Sequence, residues 1–445
     1  MNREKLMTML DEQKYGAIML EMENMNAVDA AELFSYIDNQ QIPRVFRLLK
    51  KDNASEIFAE LDSEIQEKII TSMSDKELSR IMDELFIDDA VDMLEELPAN
   101  VVNRILKSSS KELRQELNRY LNYPDNSAGS IMTSEVVSIH ATMTVNQAVE
   151  RIRKTGVDKE TVYVIYVTDN SRILKGIVEL RDLLFAKESD KIEDIMDNSI
   201  VSVHTLDDRE CAVELIQKYD LLALPVVDSE NRLVGIITVD DAMDVLLDEA
   251  VENIEIMAAI SPTDKPYLKT GVFETWLKRI PWLLILMLSS TFTGAIINHY
   301  EGALGAMVIL TSFIPMLMGT GGNAGGQASA TIICGLSNGE LRMGNILRII
   351  WKEFRVSILC GATLSVATFA KVMLIDQTSV EVAFVVSITL LLSIIVAKFV
   401  GATLPILAKR IGFDPAVTAS PFITTFVDAL SLIIYFAIAT SVLGL

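Results

Sequence analysis

Hydrophobic positions along this chain follow three successive rhythms. Up to about residue 122 they recur at helical spacing in short segments parted by turn signals, with the phrases Ile57–Leu61, Ile81–Leu85 and Met93–Leu97 loosely repeated. Short helices stacking such faces predict an α-superhelix. From Ile131 the pattern becomes one of short strands, and it is duplicated: Ile131–His140 matches Ile195–His204, and Asn146–Ile152 matches Glu210–Ile216. Strands are expected at Val162–Thr168 and Lys175–Glu179 in the first copy, and at Ala223–Val227 and Leu233–Thr238 in the second, each pair leading into a helix. The last part holds apolar runs at about 281–299, 303–321, 354–375, 382–408 and 416–441. Each is long enough to cross a hydrocarbon layer of about 30 Å. The pattern predicts a multidomain membrane protein with a five-helix, all-α transmembrane domain.

Charge sharpens this picture. Against 39 Lys and Arg stand 61 Asp and Glu, a net charge of -22 in a chain of 445 residues, concentrated ahead of the apolar runs. Such an excess argues against a nucleic-acid partner and for cationic ones. Between Arg80 and Arg104 there is no basic residue, while Asp83, Glu84, Asp88, Asp89, Asp92, Glu95 and Glu96 crowd together. Asp88 and Asp92 are like-charged i,i+4 neighbours, mildly unfavourable unless a cation intervenes; a solvated acidic face is the plainer alternative. From Leu233 to Asp264 Lys and Arg are again absent, and Asp241, Asp244, Asp248, Glu252 and Glu255 fall on one face of a helix. Hard oxygen donors of this kind suit Mg²⁺ or Ca²⁺. His140 and His204 occupy equivalent strand ends, where structural roles are expected. Cys211, Cys334 and Cys360 make neither a disulfide framework nor a zinc site.

Basic residues order the apolar runs. Lys278 and Arg279 precede the first, Arg342, Arg348, Lys352 and Arg355 lie between the second and third, and Lys409 and Arg410 follow the fourth. The positive-inside rule then gives a cytosolic N-terminus and an external C-terminus, in keeping with an N-terminal MNREKLMTML that lacks a signal-peptide pattern. The glycine-rich stretch Gly319–Ala330 permits close backbone approach and a broken helix lining a cavity. Asp428 is the one acidic residue expected deep within a span, and such a carboxylate reads as a pore group or as half of an ion pair, with Lys398 the candidate partner. Pro421 is expected to free carbonyls near Thr424. Neither a Ser–His–Asp set nor a cofactor fingerprint is present, so an enzyme is not expected.

The stretch Leu224–Asp241 and its weaker partner ending Leu180-Arg181-Asp182 resemble paired cystathionine-β-synthase-type (CBS) domains. Over essentially the whole length the chain resembles the MgtE family of magnesium channels and transporters. The residues that carry this are Tyr123–Thr133, Gly319–Gln327, Leu404-Pro405, Phe413–Ala416 and Phe426-Val427-Asp428. The resemblance implies an acidic helical domain (1–128), α+β tandem CBS domains (129–190 and 191–243), an acidic connecting "plug" helix (244–270) and a pore domain (271–445). It further implies a homodimer in the plasma membrane, surrounded by lipid, with a two-fold pore lined by the second and fifth spans. Asp428 and the Thr424 carbonyl would meet Mg²⁺ there. Regulatory Mg²⁺ would bind at Asp88, Asp92, Gly129 through its carbonyl, Asp208, Asp220, Asp241, Asp244, Glu249 and Glu252, closing the channel by feedback. Arg181 and Asp182 match positions that contact ATP in relatives. Ser420 stands where one relative has asparagine. The rival readings are a Na⁺- or H⁺-coupled divalent-cation transporter and a non-transporting membrane sensor.

Overall fold

The computed structural model describes residues 3–157, 159–263, 267–268, 270–337, 339–418 and 420–444, with the side chains of residues 3, 51, 52, 96, 343 and 420 outside the description. Both Glu96 of the acidic crowd and Ser420 are therefore silent. The chain forms two compact units, 1–246 and 247–445.

The first unit opens with ten short helices: α1 (Arg3–Asp11), α2 (Tyr15–Met22), α3 (Ala27–Phe34), α4 (Ile42–Phe46), α5 (Lys51–Ala59), α6 (Ser63–Ser72), α7 (Asp75–Met82), α8 (Ile87–Glu96), α9 (Ala99–Ser108) and α10 (Lys111–Tyr120). Side-chain caps mark several starts. Asn26 accepts from Val28 N at 3.0 Å ahead of α3, and Ser110 accepts from Leu113 N at 3.1 Å ahead of α10. Ser74 and Glu77 form a reciprocal capping box at α7. Each helix is too short to hold itself in water, so packing decides: α3 lies on α5, α4 on α6 and α7 on α9. Phe34, Phe46 and Phe58, fully or almost fully buried, run through this stack edge to face, with ring centroids 6.2 and 5.7 Å apart. Edge-to-face pairs contribute about 1 kcal/mol each beyond burial. The repeated phrases place Ile57, Ile81 and Met93 in helices, while Leu61 and Leu97 lie buried just beyond helix ends.

The duplication then appears as two three-stranded sheets. The first contains β1 (Ser138–His140), α11 (Val145–Thr155), β2 (Val164–Thr168), β3 (Leu174–Glu179), α12 (Leu180–Phe185) and α13 (Ile192–Ile195). The second contains β4 (Val203–His204), α14 (Arg209–Tyr219), β5 (Ala223–Val227), β6 (Leu233–Thr238) and α15 (Val239–Met257). In both, the first strand runs parallel to the second and the second antiparallel to the third. His140 Nδ1 meets Thr168 O at 3.0 Å, and His204 Nδ1 meets Asp228 O at 3.2 Å, the structural roles expected. The first copy has its own core around Ile139, Ile165 and Val167. Leu224, Val226 and Ile237 of the second share a continuous core with the helical stack.

The second unit is helical: α16 (Val272–His299), α17 (Glu301–Ala306), α18 (Ile314–Ser337), α19 (Ile346–Leu374), α20 (Val380–Arg410) and α21 (Ser420–Leu443). Four stretches are long and apolar enough to cross a membrane, at 272–299, 346–374, 380–410 and 415–443. The expected span at 303–321 is not one helix: it breaks into α17, a 3-10 turn (Val308–Phe313) and the start of α18. Conversely, the glycine-rich stretch is no broken segment. It lies within α18, whose glycines, Asn323 and Gln327 dilute its hydropathy below that of the other four. The close approach was legible: a Cβ at Gly401 of α20 would run into the backbone of Gly325.

Candidate functional site: two acidic sites

Two helix starts in the first unit carry paired aspartates. Asp88 and Asp89 lie in the first turn of α8, and Asp240 and Asp241 in the first turn of α15. A helix N-terminus favours negative charge, which explains why each pair is tolerated locally. The difficulty arises because the fold gathers them. Asp88 is 9 % exposed, and its Oδ1 is buried without a hydrogen-bond partner. Burial above all, then the carboxylates of Asp241, Asp89 and Glu160, push the Asp88 carboxyl up to about 8. Burial with Asp241, Glu60, Asp240 and Glu135 raises Asp89 to about 6. Burial with Asp241, Asp240, Asp89 and Glu135 raises Glu160 to about 7. Asp241 is raised by burial as well, although its Oδ2 accepts from Thr238 Oγ1 at 2.5 Å. Every strong neighbouring charge in this group is negative. No three described acidic side chains are gathered tightly enough to enclose an ion directly. Hard carboxylate oxygens of this kind, Asp88 Oδ1 buried without a partner among them, are of the type that a hydrated divalent cation such as Mg²⁺ takes.

The other expected regulatory residues are placed more widely. Asp92, one turn after Asp88, is exposed. Gly129 lies in a loop bound to the second CBS copy, where Ala128 N donates to Asp207 O at 2.7 Å and Gly129 N to Thr205 O at 2.9 Å. A Cβ there would lie 2.7 Å from the Tyr123 ring. Asp208 caps the start of α14 by accepting from Glu210 N at 2.9 Å, and Asp220 ends that helix in the left-handed region with φ 52°. Asp244 is exposed in the next turn of α15; Glu249 and Glu252 belong to the second unit. Arg181 and Asp182 open α12, both exposed, with Arg181 Nη2 3.0 Å from Glu179 and its Nε 3.8 Å from Asp182. Glu135, Glu160, Asp89 and Asp240 were missed as a group. Periodicity marks faces of helices, and Glu160 comes from a loop whose placement no spacing encodes.

The second acidic site lies in the apolar helices. Asp428 is half-buried on α21, with Thr424 one turn before it. Thr424 Oγ1 donates to Pro421 O at 2.9 Å. Pro421 stands in the first turn of α21, where it interrupts no helix bond, a correction to the expectation that it removes one and frees carbonyls near Thr424. The glycines of α18 let α21 pack against it: a Cβ at Gly321 would lie 3.0 Å from Ser431 Oγ, one at Gly322 3.0 Å from Thr424 Cγ2, and one at Gly325 2.9 Å from Ile423 Cγ2. Lys398 is not the partner of Asp428. Its Nζ lies 3.8 Å from Glu353 Oε2 of α19, both side chains largely buried. Because α19 begins at Ile346, Glu353 is itself inside an apolar helix, so Asp428 is not the one acidic residue within such a helix; among the described residues Asp428 has no ion pair.

Profiles of known families match most of the chain. Residues 25–126 match the MgtE intracellular N domain, 128–189 and 192–248 match CBS domains, and 314–438 match MgtE, a divalent cation transporter. The magnesium transporter MgtE of Thermus thermophilus is 35 % identical, over 97 % of this chain and 96 % of the relative. That of Bacillus subtilis is 34 % identical, over 94 % and 92 %. Among solved structures, the cytosolic domain of the Mg²⁺ channel MgtE in complex with ATP is 34 % identical and superposes with a TM-score of 0.52, covering 55 % of this chain and all of that one.

Proposed function

The chain belongs to the MgtE family, and from that premise we propose that it is a Mg²⁺-selective channel for magnesium uptake, closed by cytosolic Mg²⁺. The observation that carries the permeation reading is the unpaired Asp428, since the lysine able to neutralise it is spent on Glu353. An ionisable group in an apolar helix with no countercharge is expensive unless it faces water or an ion. In a homodimer the two-fold axis would bring two such carboxylates to one pore, lined by α18 and α21, and hydrated Mg²⁺ would be attracted without being stripped. The five long helices would all span the plasma membrane, with the N-terminus cytosolic and lipid around them.

The crowded carboxylates support the gating reading. Without a cation they repel, so holding Asp88 of the helical stack near Asp241 of the second CBS copy costs free energy; shared Mg²⁺ would remove that cost and favour the compact state. Asp92, Asp208, Asp220, Asp244, Glu249, Glu252 and the Gly129 carbonyl would add weaker sites, and α15 would carry the change to the pore as a plug. The exposed guanidinium of Arg181, next to Asp182, offers ATP a docking point on the first CBS copy.

Reconstitution in liposomes tests the permeation reading. Asp428→Asn is expected to lose most Mg²⁺ flux while the protein remains folded. Parental flux in that variant would overturn the role of the charge, and a reversal potential that moves with Na⁺ or pH would make the protein a coupled transporter.

A further inference from the structure

The helix α19 carries two unlike faces, and packing accounts for one of them. Ser357, Gly361 and Thr368 are buried, and a Cβ at Gly361 would lie 2.8 Å from Leu391 Cδ1 of α20. The opposite face is open. Arg348, Lys352 and Arg355, at i, i+4 and i+7, fall on it together, all exposed, and the same line continues through Leu359 and Val366. Those two apolar side chains are 71 % and 72 % exposed. The three cations have no ion pair among the described residues, although Glu353 stands beside Lys352 in the chain. Glu353 is turned the other way, its Oε2 3.8 Å from Lys398 Nζ of α20, and so does not neutralise them. Trp351 flanks the stripe: its ring stacks on Phe354 with centroids 5.6 Å apart and lies 6.0 Å from the Arg355 guanidinium. Arg348 also sits in the first turn of α19, where the backbone dipole disfavours a positive charge and favours an anion.

We propose that Arg348, Lys352 and Arg355 bind the headgroup phosphate of an anionic phospholipid whose acyl chains run along Leu359 and Val366. The inference rests on α19 crossing the membrane, as proposed above, and not on the pore or gating readings. Charge and hydrocarbon together select this occupant. A soluble anion would satisfy the cations but leave the apolar continuation of the same line uncovered, whereas an anionic lipid matches both parts. A zwitterionic lipid brings its own ammonium and leaves the excess positive charge unmatched. Trp351 suits the same boundary, since an indole with an apolar body and a polar N–H is at home at the headgroup level. Arg355, steadied by that ring, presents a planar guanidinium fitted to two phosphate oxygens at once. The pairing of Glu353 with Lys398 then does more than hold α19 to α20: it clears the stripe of the one carboxylate that α19 contains.

The test uses the full-length protein with Trp276→Phe and Trp282→Phe, which leaves Trp351 as its one indole. The protein is reconstituted in phosphatidylcholine vesicles, and Trp351 fluorescence is followed as phosphatidylglycerol or phosphatidylcholine with brominated acyl chains replaces the plain lipid. Brominated phosphatidylglycerol is expected to quench at a much lower mole fraction than brominated phosphatidylcholine. Arg355→Gln is expected to weaken that preference about fivefold, the scale of one basic residue near an anionic surface, while Arg355→Lys, which keeps the charge, retains most of it. Arg348→Gln, Lys352→Gln and Arg355→Gln together should abolish it. Arg279→Gln removes a basic residue at the start of α16, outside the stripe, and is expected to change nothing. A preference that survives the triple variant, or that falls as far in Arg279→Gln as in Arg355→Gln, overturns the inference, the second result meaning a diffuse surface charge and no site. Equal quenching of the parent by the two lipids overturns it too, and leaves the cations to a protein segment or a soluble anion. Quenching by neither lipid would put Trp351 outside the bilayer, and then the membrane position of α19 fails along with the inference.

Discussion

The two CBS copies share a strand order, a register and a histidine bond at the same place, yet they differ where the third strand turns into its helix. In the first copy β3 leads into the six-residue α12, which begins Leu180-Arg181-Asp182 with both charges exposed and the arginine within reach of two carboxylates. In the second, β6 leads into the 19-residue α15, which begins Val239-Asp240-Asp241 and delivers both carboxylates to a group that contains no cation. One arginine-to-aspartate difference between equivalent positions thus separates a self-neutralised helix start from one whose neighbouring charges are negative. The core follows the same division: the first copy is packed around its own interior, and the second is fused with the helical stack. A duplicated unit keeps its frame because the frame is backbone pairing and apolar burial. The helix starts, which neither depends on, are free to diverge into different chemistry.

The comparison is broken or sharpened most strongly at the aspartates. Asp88→Asn with Asp241→Asn is expected to raise the Mg²⁺ midpoint of protease protection by about tenfold or more, whereas Asp182→Asn at the equivalent place leaves it unchanged. An equal shift in both would mean that the copies are not specialised. Next comes Asp240→Arg, which gives the second copy the first copy's sequence. Its guanidinium should protect the soluble half in chelator and flatten the Mg²⁺ response, as read by the same digestion.

A smaller effect is expected from pH. The folded-state carboxyls of Asp88, Glu160 and Asp89 sit at about 8, 7 and 6, above their unfolded values. The folded state therefore binds more protons than the unfolded one, and stability falls as pH rises through that window. In chelator the unfolding temperature of the soluble half should drop from about pH 4, where the unfolded carboxyls ionise, to about pH 8, and saturating Mg²⁺ should remove most of the drop. A profile in chelator that rises over that range would contradict the crowding.

The smallest change concerns what the copies share. His140→Ala and His204→Ala should each lower stability by no more than about 1 kcal/mol, less for the more exposed His204, and neither should move the Mg²⁺ midpoint in thermal or protease assays.

Much of this frame was legible in the sequence because it is periodic. The strand ranges of both copies, the short helices, the acidic helix Asp241–Glu255 and the tight glycine packing all follow from spacing and residue size. What escaped was set by tertiary placement. Glu160 and Glu135 reach the acidic group through loop hydrogen bonds to β6, which no period records. The continuity of α18 escaped because its glycines look like a breaker when its neighbours α20 and α21 are unseen. Pro421 opens a helix instead of breaking one because α21 starts at Ser420, four residues later than the apolar run beginning at Ala416. Lys398 was weighed only as a partner of Asp428; it pairs instead with Glu353 of α19, a helix that begins at Ile346, eight residues ahead of the apolar run at about 354.

The meeting of Gly325 and Gly401 has a mechanical consequence. Where two helices touch through side chains, the layer between them can shear, since side chains change rotamer and slide. Here backbone meets backbone, and not even a methyl group fits between α18 and α20. Such a joint has no lubricating layer: sliding either helix along the other by a residue would drive a Cβ into a carbonyl. The two helices are therefore joined there as a single strut, and relative sliding is left to surfaces where side chains still separate the helices.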